Sequence, residues 1–329
     1  VMFVSIIICT YRRAEALGDL LDCLAVQTYR DSEILIVDGS GEDLSVRNKV
    51  ESFMNQRGER MSMRLIQSQK GLTRQRNVGL REAQGELICF FDDDVTFGED
   101  FISQVVGLFQ QRDMKNVGGA TAYDVLNYGV PMRFRHKLRG AAGFYTSWRP
   151  GALARCGLVV PLDIQPAFSG CMDVGWLGGF CMLYRREAIA NLYFDEGLPT
   201  YGGEDTNFSM KVGKKWRLVL CGDLQLKHHR TVTSRVNGAA QVYDTSYGAA
   251  RNQLSESMTF AGVMWLVWFA ILEFVFDAVS FIRRPSWMTF NIIRARQRGL
   301  IAGIRSIYTM RQDTPLESNL VVAKKNAER

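Results

Sequence analysis

The chain has 329 residues, of which 47% are hydrophobic and 22% charged, so it can bury one large core and is not a disordered chain. Its 30 glycines and 7 prolines exclude collagen-like and low-complexity proteins. The formal net charge of +6 originates in residues 283–329, where ten Lys and Arg oppose three Asp and Glu. A partner that is attracted by positive charge, such as an anionic membrane surface, should therefore meet this C-terminal segment.

The seven cysteines include no CxxC pair and predict neither a disulfide framework nor a zinc site. Four of them lie in apolar runs, which is typical of buried thiols in a reducing compartment: Cys9, Cys89, Cys181 and Cys221. The apolar opening, VMFVSIIICT, has no positive leader and no small-residue cleavage site. We interpret it as a first buried strand and not as a signal peptide.

The hydrophobic periodicity of the first 125 residues predicts strands and helices in alternation. In chain order these are a strand at 3–9, a helix at 14–27, a strand at 33–37, a helix at 43–57, a strand at 63–66, a helix at 71–83 and a strand at 86–91. This order predicts a doubly wound, mostly parallel sheet, in which ligands bind beyond the carboxyl ends of the strands. Those ends carry Thr10, Tyr11, Asp38 and the triplet Asp92–Asp94.

The second half of the chain is less regular. Residues 126–175 interrupt the alternation, and regular patterns return at 176–186, in a helix that follows the loop at 200–205, and at 217–221. A hydrophobic stretch at 258–282 and an arginine-rich amphipathic stretch at 286–311 come next, before a polar tail.

Three adjacent aspartates follow the strand at 86–91. Their mutual repulsion must be compensated by a cation or by hydrogen-bond donors. Oxygen ligands such as Asp92 and Asp94 suit Mg²⁺ or Mn²⁺. A solvated acidic turn that caps a helix is the alternative from the residues alone.

Six segments in a fixed order resemble an inverting family 2 glycosyltransferase with the GT-A fold: VSIIICTYRR, EILIVDGS, TRQRNVGL, GELICFFDDDV, WLGGFCMLYRRE and YGGEDTNFSMKV. The resemblance covers about residues 3–255. It implies a doubly wound, mostly parallel mixed sheet and transfer of a sugar from a nucleotide-diphosphate donor to an acceptor hydroxyl with inversion. UDP-, dTDP- and GDP-sugars are the implied donors, and Mn²⁺ or Mg²⁺ the implied cofactor.

The resemblance also implies roles for individual residues. Nucleotide-sugar contacts fall on Thr10, Tyr11, Arg12 (or Arg13), Asp38, Arg76, Asn77, Asp92, Asp93, Trp176, Gly178, Gly179, Arg230 and Arg235. An Asx-turn is the alternative for Asp38, a helix surface for Arg76 and Asn77, and core packing for Trp176.

The DxD motif of the family matches Asp92, on the ribose side, and Asp94, a metal ligand. The commoner form of the motif has a further acid where this chain has Val95, which leaves the division of roles in the triplet open. His228 and His229 are candidates for a further metal ligand, with His229 preferred.

The ED motif of the family matches Glu204 and Asp205. We expect Asp205 to be the general base, kept ionised by the helix N-terminus, and Glu204 to position it. A pair of helix-capping residues is the alternative.

Two other classes of function compete with the glycosyltransferase. A nucleotidyltransferase would need a Gly-rich basic loop after the first strand, which CTYRRAEAL does not supply. A non-catalytic glycan-binding or scaffold protein would not need the DxD motif, the ED motif and the histidine pair together.

We expect a catalytic domain at 1–257, with a nucleotide-binding half at about 1–125 and an acceptor-binding half at about 126–257, membrane-associated helices at 258–312 and a polar tail at 313–329. A single crossing by 258–282 would bury Glu273 and Asp277 in lipid and place the following arginines opposite the catalytic domain. A peripheral or monotopic enzyme at the cytoplasmic face of a bacterial inner membrane avoids both problems. A helical pair that packs on protein is the alternative.

The expected partners are the donor, an anionic membrane surface and a saccharide acceptor, lipid-linked in cell-surface polysaccharide or glycolipid synthesis. We expect no nucleic-acid partner, and a homo-oligomer is compatible with the sequence.

Overall fold

The computed structural model describes residues 2–57, 62–199, 202–230, 238–256 and 259–312. The chain divides into two compact units, Val1–Val236 and Asn237–Arg329. The strands of the first unit are Val4–Thr10 (β1), Ser32–Asp38 (β2), Ser62–Gln67 (β3), Leu87–Asp92 (β4), Val95–Thr96 (β5), Val117–Asp124 (β6), Cys171–Val174 (β7), Cys181–Arg185 (β8) and Arg217–His228 (β9). Its α-helices are Ala14–Ala25 (α1), Ser45–Arg57 (α2), Leu72–Glu82 (α3), Phe101–Gln110 (α4), Phe134–Ala141 (α5) and Glu204–Gly213 (α6).

The strands form one mixed sheet in the order β3-β2-β1-β4-β8-β6-β9-β5, with β7 also paired to β9. Strands β1 to β4 pair in parallel, and so do β6 and β9. Strand β8 lies antiparallel between β4 and β6. The predicted α/β class and mostly parallel mixed sheet are confirmed, because helices connect the parallel strands as the alternation required.

Helices cover both faces of the sheet, which explains why β1 is apolar at four successive positions, 6–9. Ile6 and Ile8 pack on one face with Leu17 of α1, and Ile7 packs on the other face with Phe208 of α6. Successive side chains of a strand point to opposite faces, so a strand that is covered on both faces is mainly apolar. The buried Ser5 of β1 is the exception, and its hydroxyl donates to Glu33 Oε1 at 2.6 Å.

A disulfide joins Cys171 of β7 to Cys221 of β9, with their Cα atoms 4.1 Å apart. The prediction of a buried thiol at Cys221 is therefore wrong. The antiparallel register sets the two residues directly opposite each other, although 50 positions separate them in the chain. Cys9, Cys89 and Cys181 are free thiols.

The second unit contains three helices, Ala239–Glu256 (α7), Phe260–Arg283 (α8) and Trp287–Gln312 (α9). Helix α7 packs closely on α9, since a Cβ added at Gly299 would collide with the carbonyl oxygen of Tyr243 and one at Gly303 with that of Tyr247. This packing assigns α7 to the second unit, so the observed division precedes the boundary expected after residue 257.

Helix α8 is long and apolar enough to cross a membrane, with a mean hydropathy of 1.9. Its two acids, Glu273 and Asp277, are buried against α9. Arg296 of α9 pairs with both, at 3.1 Å from Glu273 Oε2 and 2.7 Å from Asp277 Oδ2. The two acids therefore lie on one face of α8, and this face contacts α9.

Replacing Arg296 by alanine should destabilise the second unit by about 3–5 kcal/mol, because two buried carboxylates would lose their cation. Chemical denaturation followed by circular dichroism measures this loss, with the exposed Arg283→Ala as the matched control. An equal loss in the two variants would contradict a stabilising role for the buried ion-pair network.

Candidate active site

The carboxyl ends of three neighbouring strands meet at one edge of the sheet. The β1–β2 register sets Thr10 beside Asp38, and the β1–β4 register sets Cys9 beside Asp92. The side chains that the sequence placed after these strands therefore lie at the same edge, as the doubly wound topology requires.

Asp92 and Asp94 form a cluster with His228, in which one ligand atom from each residue lies within 4.8 Å of the others. His228 Nε2 is 3.2 Å from Asp94 Oδ1 and 4.0 Å from Asp92 Oδ2. Two carboxylates and an imidazole are a donor set that fits a divalent cation such as Mn²⁺. Burial raises the pKa of Asp92, and Arg76 opposes that rise.

The histidine that we preferred as the metal ligand, His229, lies outside this cluster, and the other candidate, His228, lies within it. His228 is the last residue of β9 and pairs with Val95 of β5, which turns its ring toward the acids. His229 points elsewhere, and its Nε2 lies 2.8 Å from the hydroxyl of Thr96. Adjacent side chains of an extended chain point in opposite directions, so only one histidine of the pair can join the cluster.

The ring of His228 is held by two further residues. Phe180 stacks on it at a centroid distance of 5.0 Å. Asp124, fully buried at the end of β6, accepts a hydrogen bond from the backbone N–H of His228 and places Oδ2 3.9 Å from its Nδ1. Sequence reasoning missed Asp124, although an acid at the end of the buried run VGGATAYD was a usable signal.

Asp93 turns to the opposite side of the triplet. It accepts a 2.7 Å hydrogen bond from Thr10 Oγ1 and pairs with Arg13 Nη1 at 2.6 Å. Arg13 also pairs with Asp94 at 2.6 Å. Burial raises the pKa of Asp93 to about 7, and Arg13 opposes the rise. Arg13 thus holds the triplet, whereas Arg12 is exposed and lies 3.7 Å from Asp43.

Asp38 is buried, and both of its carboxylate oxygens are in use. Oδ1 accepts from the backbone N–H of Ser40 at 2.9 Å, and Oδ2 accepts from Gln67 Nε2 at 3.2 Å. The first bond is the Asx-turn that was the alternative for this residue. Nearby, Lys70 forms a cation–π contact with Tyr11, in which Nζ lies 4.4 Å from the centroid of the ring.

Glu204 and Asp205 form the first turn of α6. Arg76, buried on α3, joins this pair to the acidic triplet: it lies 3.1 Å from Glu204 Oε1 and 3.5 Å from Asp92 Oδ1, and it donates to the carbonyl oxygen of Gly179 at 3.0 Å. The expected pocket residue Arg76 therefore connects the two acidic groups of the site.

Burial and the neighbouring Asp205 raise the pKa of Glu204 to about 8, and Arg76 acts against this rise. Burial also raises the pKa of Asp205. The position of Asp205 at a helix N-terminus predicted a lowered pKa, but desolvation outweighs that effect and raises the pKa. Hydrogen bonds from the backbone N–H groups of Thr206, at 2.6 Å, and Gly179, at 3.1 Å, favour the ionised form of Asp205.

Gly179 fits tightly between Arg76 and Asp205, since a Cβ there would lie 3.3 Å from a polar atom of each. Its small size therefore serves these side chains. A Cβ at Gly178 would clash with the ring of Phe180. Trp176 donates its ring N–H to the carbonyl oxygen of Val160 at 3.3 Å and packs on the core, which agrees with its packing alternative.

Asn77 is buried and uses its amide to hold the loop after β8. Its Nδ2 donates to the carbonyl oxygen of Phe194 and to Glu196 Oε1, each at 3.0 Å, and its Oδ1 accepts from the N–H of Phe194. Arg230 has a left-handed backbone, with φ of 49°, directly after the histidine pair. The predicted phosphate contact Arg235 lies outside the described residues.

The chain belongs to glycosyltransferase family 2, since the model of that family, Glycosyl transferase family 2, matches residues 5–192, more than half of the chain. It is 28% identical over 109 residues to the amylovoran biosynthesis glycosyltransferase AmsB of Erwinia amylovora, which covers 33% of this chain and 36% of that protein. It is 38% identical over 93 residues to the cholesterol galactosyltransferase of Borreliella burgdorferi, covering 28% and 25% of the two chains. The matches thus span about a third or less of these curated relatives.

Two solved structures share the fold. The mannosyltransferase PcManGT from Pyrobaculum calidifontis, in complex with GDP-Man and Mn²⁺, has a TM-score of 0.55 at 15% identity and covers 99% of this chain and 80% of its own. Residues 1–349 of S. aureus TarS, in complex with UDP-GlcNAc, have a TM-score of 0.54 at 19% identity and cover 92% and 81%. The predicted GT-A fold is confirmed.

Proposed function

We propose that this protein transfers a sugar from a nucleotide-diphosphate donor to an acceptor hydroxyl, with inversion at the anomeric carbon. The observation that carries the proposal is the pairing of two acidic groups in one buried network. Asp92, Asp94 and His228 form a candidate cation site, Glu204 and Asp205 include the candidate base, and Arg76 contacts both groups.

The residues divide the reaction between them. Asp205 accepts the proton of the acceptor hydroxyl as the new C–O bond forms and the bond from the anomeric carbon to the diphosphate breaks. Glu204 and the N–H of Gly179 orient Asp205 and Arg76 around the reacting atoms. Asp92, Asp94 and His228 would hold Mn²⁺ or Mg²⁺, which supplies positive charge to the departing diphosphate.

The nucleotide belongs at the edge formed by β1 and β2 in this proposal. Thr10, Tyr11 and Asp38 lie there, and Gln67 already donates to Asp38. UDP-, dTDP- and GDP-sugars remain the candidate donors, in keeping with the GDP-Man and UDP-GlcNAc that the two structural neighbours hold.

A donor screen tests the proposal directly. Hydrolysis and transfer are measured for UDP-, dTDP- and GDP-sugars with Mn²⁺, with Mg²⁺ and with a chelator, and NMR identifies the anomeric configuration of the product. One donor class should be consumed in the presence of metal, with inversion. Stabilisation by a glycan without consumption of any donor would favour a non-catalytic binding protein, and release of pyrophosphate from a nucleoside triphosphate would favour a nucleotidyltransferase.

The pH dependence of transfer should respond to Glu204→Gln. Asp205 must be deprotonated to accept a proton, and burial raises its pKa, so the rate falls toward acidic pH. Below about pH 8 Glu204 is protonated, because burial and the neighbouring Asp205 raise its pKa. Glutamine has the same charge as the protonated acid, so Glu204→Gln should leave the acidic limb of the kcat/KM profile in place. The change in rate that accompanies ionisation of Glu204 near pH 8 should disappear. The exposed Glu187→Gln is the control and should keep both features, and an acidic limb that moves in Glu204→Gln would contradict the prediction.

We also propose that the second unit associates with the cytoplasmic face of a bacterial inner membrane and that the acceptor is a lipid-linked saccharide. The apolar residues of α8 that face away from Glu273 and Asp277 support membrane association, because Ile271 and Val275 are about half exposed. Sedimentation with neutral and anionic liposomes at low and high salt tests this association, which should be strongest with anionic lipid at low salt.

A further inference from the structure

An open cleft of about 840 Å³ lies between α7 and α9, entirely within the second unit. Arg294, Arg298 and Arg305 of α9 line it, together with Tyr243 of α7 and Asn291. Positions 291, 294, 298 and 305 fall on one face of the helix at intervals of three, four and seven residues. The cleft thus places three guanidinium groups, an amide and a phenol on shared walls.

The positive charge of this face has no acidic counterpart on its own helix, because α9 contains five arginines and no acid. Arg296 is neutralised by the buried Glu273 and Asp277 on a different face. Within the described part of the chain, neither Arg294 nor Arg298 forms a salt bridge or a side-chain hydrogen bond. The three arginines are solvent-exposed and line the same cleft. Guanidinium groups favour a multivalent oxyanion such as phosphate, which can accept two N–H groups from one guanidinium.

Exposed apolar side chains lie beside the cleft, at the N-terminal end of α9. Trp287 is 74% exposed and lies four residues before Asn291 and seven before Arg294, so it continues the arginine-bearing face. Met288 beside it is 66% exposed. A ligand with a phosphate in the cleft would therefore meet large apolar side chains next to its headgroup, which is the distribution of polarity in a lipid.

We propose that the cleft between α7 and α9 binds the phosphate headgroup of an anionic lipid. The inference rests on the proposed membrane association and is independent of the proposed sugar transfer. A diffuse basic surface would bind any anionic lipid, whereas the proposed site requires the arginines of the cleft and a phosphate group on the lipid.

The test compares two pairs of substitutions with equal change in charge in the full chain. Arg294→Gln with Arg298→Gln alters the cleft, and Arg283→Gln with Arg284→Gln alters exposed arginines outside it. Each protein is sedimented with phosphatidylcholine vesicles that contain either phosphatidic acid or, at equal surface charge, oleic acid. Circular dichroism melting confirms that every variant is folded.

If the attraction to the membrane is diffuse, the cleft pair and the control pair should lose the same amount of vesicle binding. That loss is roughly fivefold in partitioning for every arginine removed near the surface. A phosphate site predicts that the unaltered protein prefers phosphatidic acid to oleic acid. It also predicts that the cleft pair loses about tenfold more binding to phosphatidic acid than the control pair, because hydrogen-bonded phosphate contacts are lost as well. Equal losses, or no preference between the two lipids, would overturn the proposal.

A further arm separates the possible sources of the phosphate. Inorganic phosphate and pyrophosphate are titrated into the vesicle mixtures and into the protein alone. The cleft would be a small-anion site if free phosphate saturates it and vesicle binding does not depend on the cleft arginines. That result would overturn the proposed lipid ligand. Sugar transfer is measured on the same unaltered protein, so loss of the transfer proposal would leave the result for the cleft intact.

Discussion

Asp205→Asn is expected to slow sugar transfer by about 10²–10⁴-fold while donor binding survives. The amide has nearly the shape of the carboxylate but cannot take a proton from the acceptor hydroxyl. Single-turnover transfer and calorimetric titration of the donor measure the two quantities separately. If Asp205 is the base, the loss appears in the rate and not in the affinity for the donor.

Asp205→Asn also has one structural cost. The two oxygens of Asp205 accept from the N–H groups of Gly179 and Thr206, and asparagine keeps only one acceptor oxygen. Thermal unfolding is therefore recorded in parallel, and Asp19→Asn supplies the same chemical change at an exposed position of α1. Equal losses in donor affinity and in turnover would indicate that Asp205 supports the structure around Gly179 instead of acting as a base.

Asp94→Ala and His228→Ala are expected to abolish metal-dependent donor binding and nearly all turnover. Both residues supply atoms to the proposed cation site, so affinity for Mn²⁺ should fall by more than the roughly 10–100-fold typical of losing an outer partner of a ligand. Electron paramagnetic resonance of bound Mn²⁺ measures this affinity without reference to catalysis. Turnover is then followed across a titration of the metal.

His229→Ala is the matched control for the histidine, because its ring contacts Thr96 and not the acids. It should bind Mn²⁺ as the unaltered protein does. Activity of Asp94→Ala in the presence of a chelator would refute the metal assignment. Equal losses in the two histidine variants would refute the distinction between them.

Local sequence patterns were sufficient for much of the site. The apolar run of β4 followed directly by Asp92–Asp94 predicted acids at the carboxyl edge of a sheet, and the structure places Thr10 and Asp38 at the same edge. Glu204 and Asp205 begin α6 as their position after a glycine pair indicated. These features depend on residues that are adjacent in the chain or on the shared direction of parallel strands.

The contacts between distant segments were not predictable in the same way. The pattern indicated a strand at 217–221, whereas β9 continues to His228, so the face of each histidine could not be assigned from the sequence. A register shift between Ala122 and Tyr123 allows β6 and β9 to pair again beyond the irregularity, and it brings Asp124 to His228.

The sequence by itself determined the alternation of strands and helices, the family, the acidic triplet, the acidic start of α6 and the charge of the C-terminal segment, because each is local in the chain. Only the tertiary structure decided that His228 faces Asp94, that Arg76 connects Asp92 to Glu204, and that Cys171 meets Cys221. Strand register and the packing of helices on the sheet set these distances, and both depend on segments far apart in the chain. Burial, which raises the pKa of Asp205 against the effect of its helix N-terminus, likewise arises only when those segments come together.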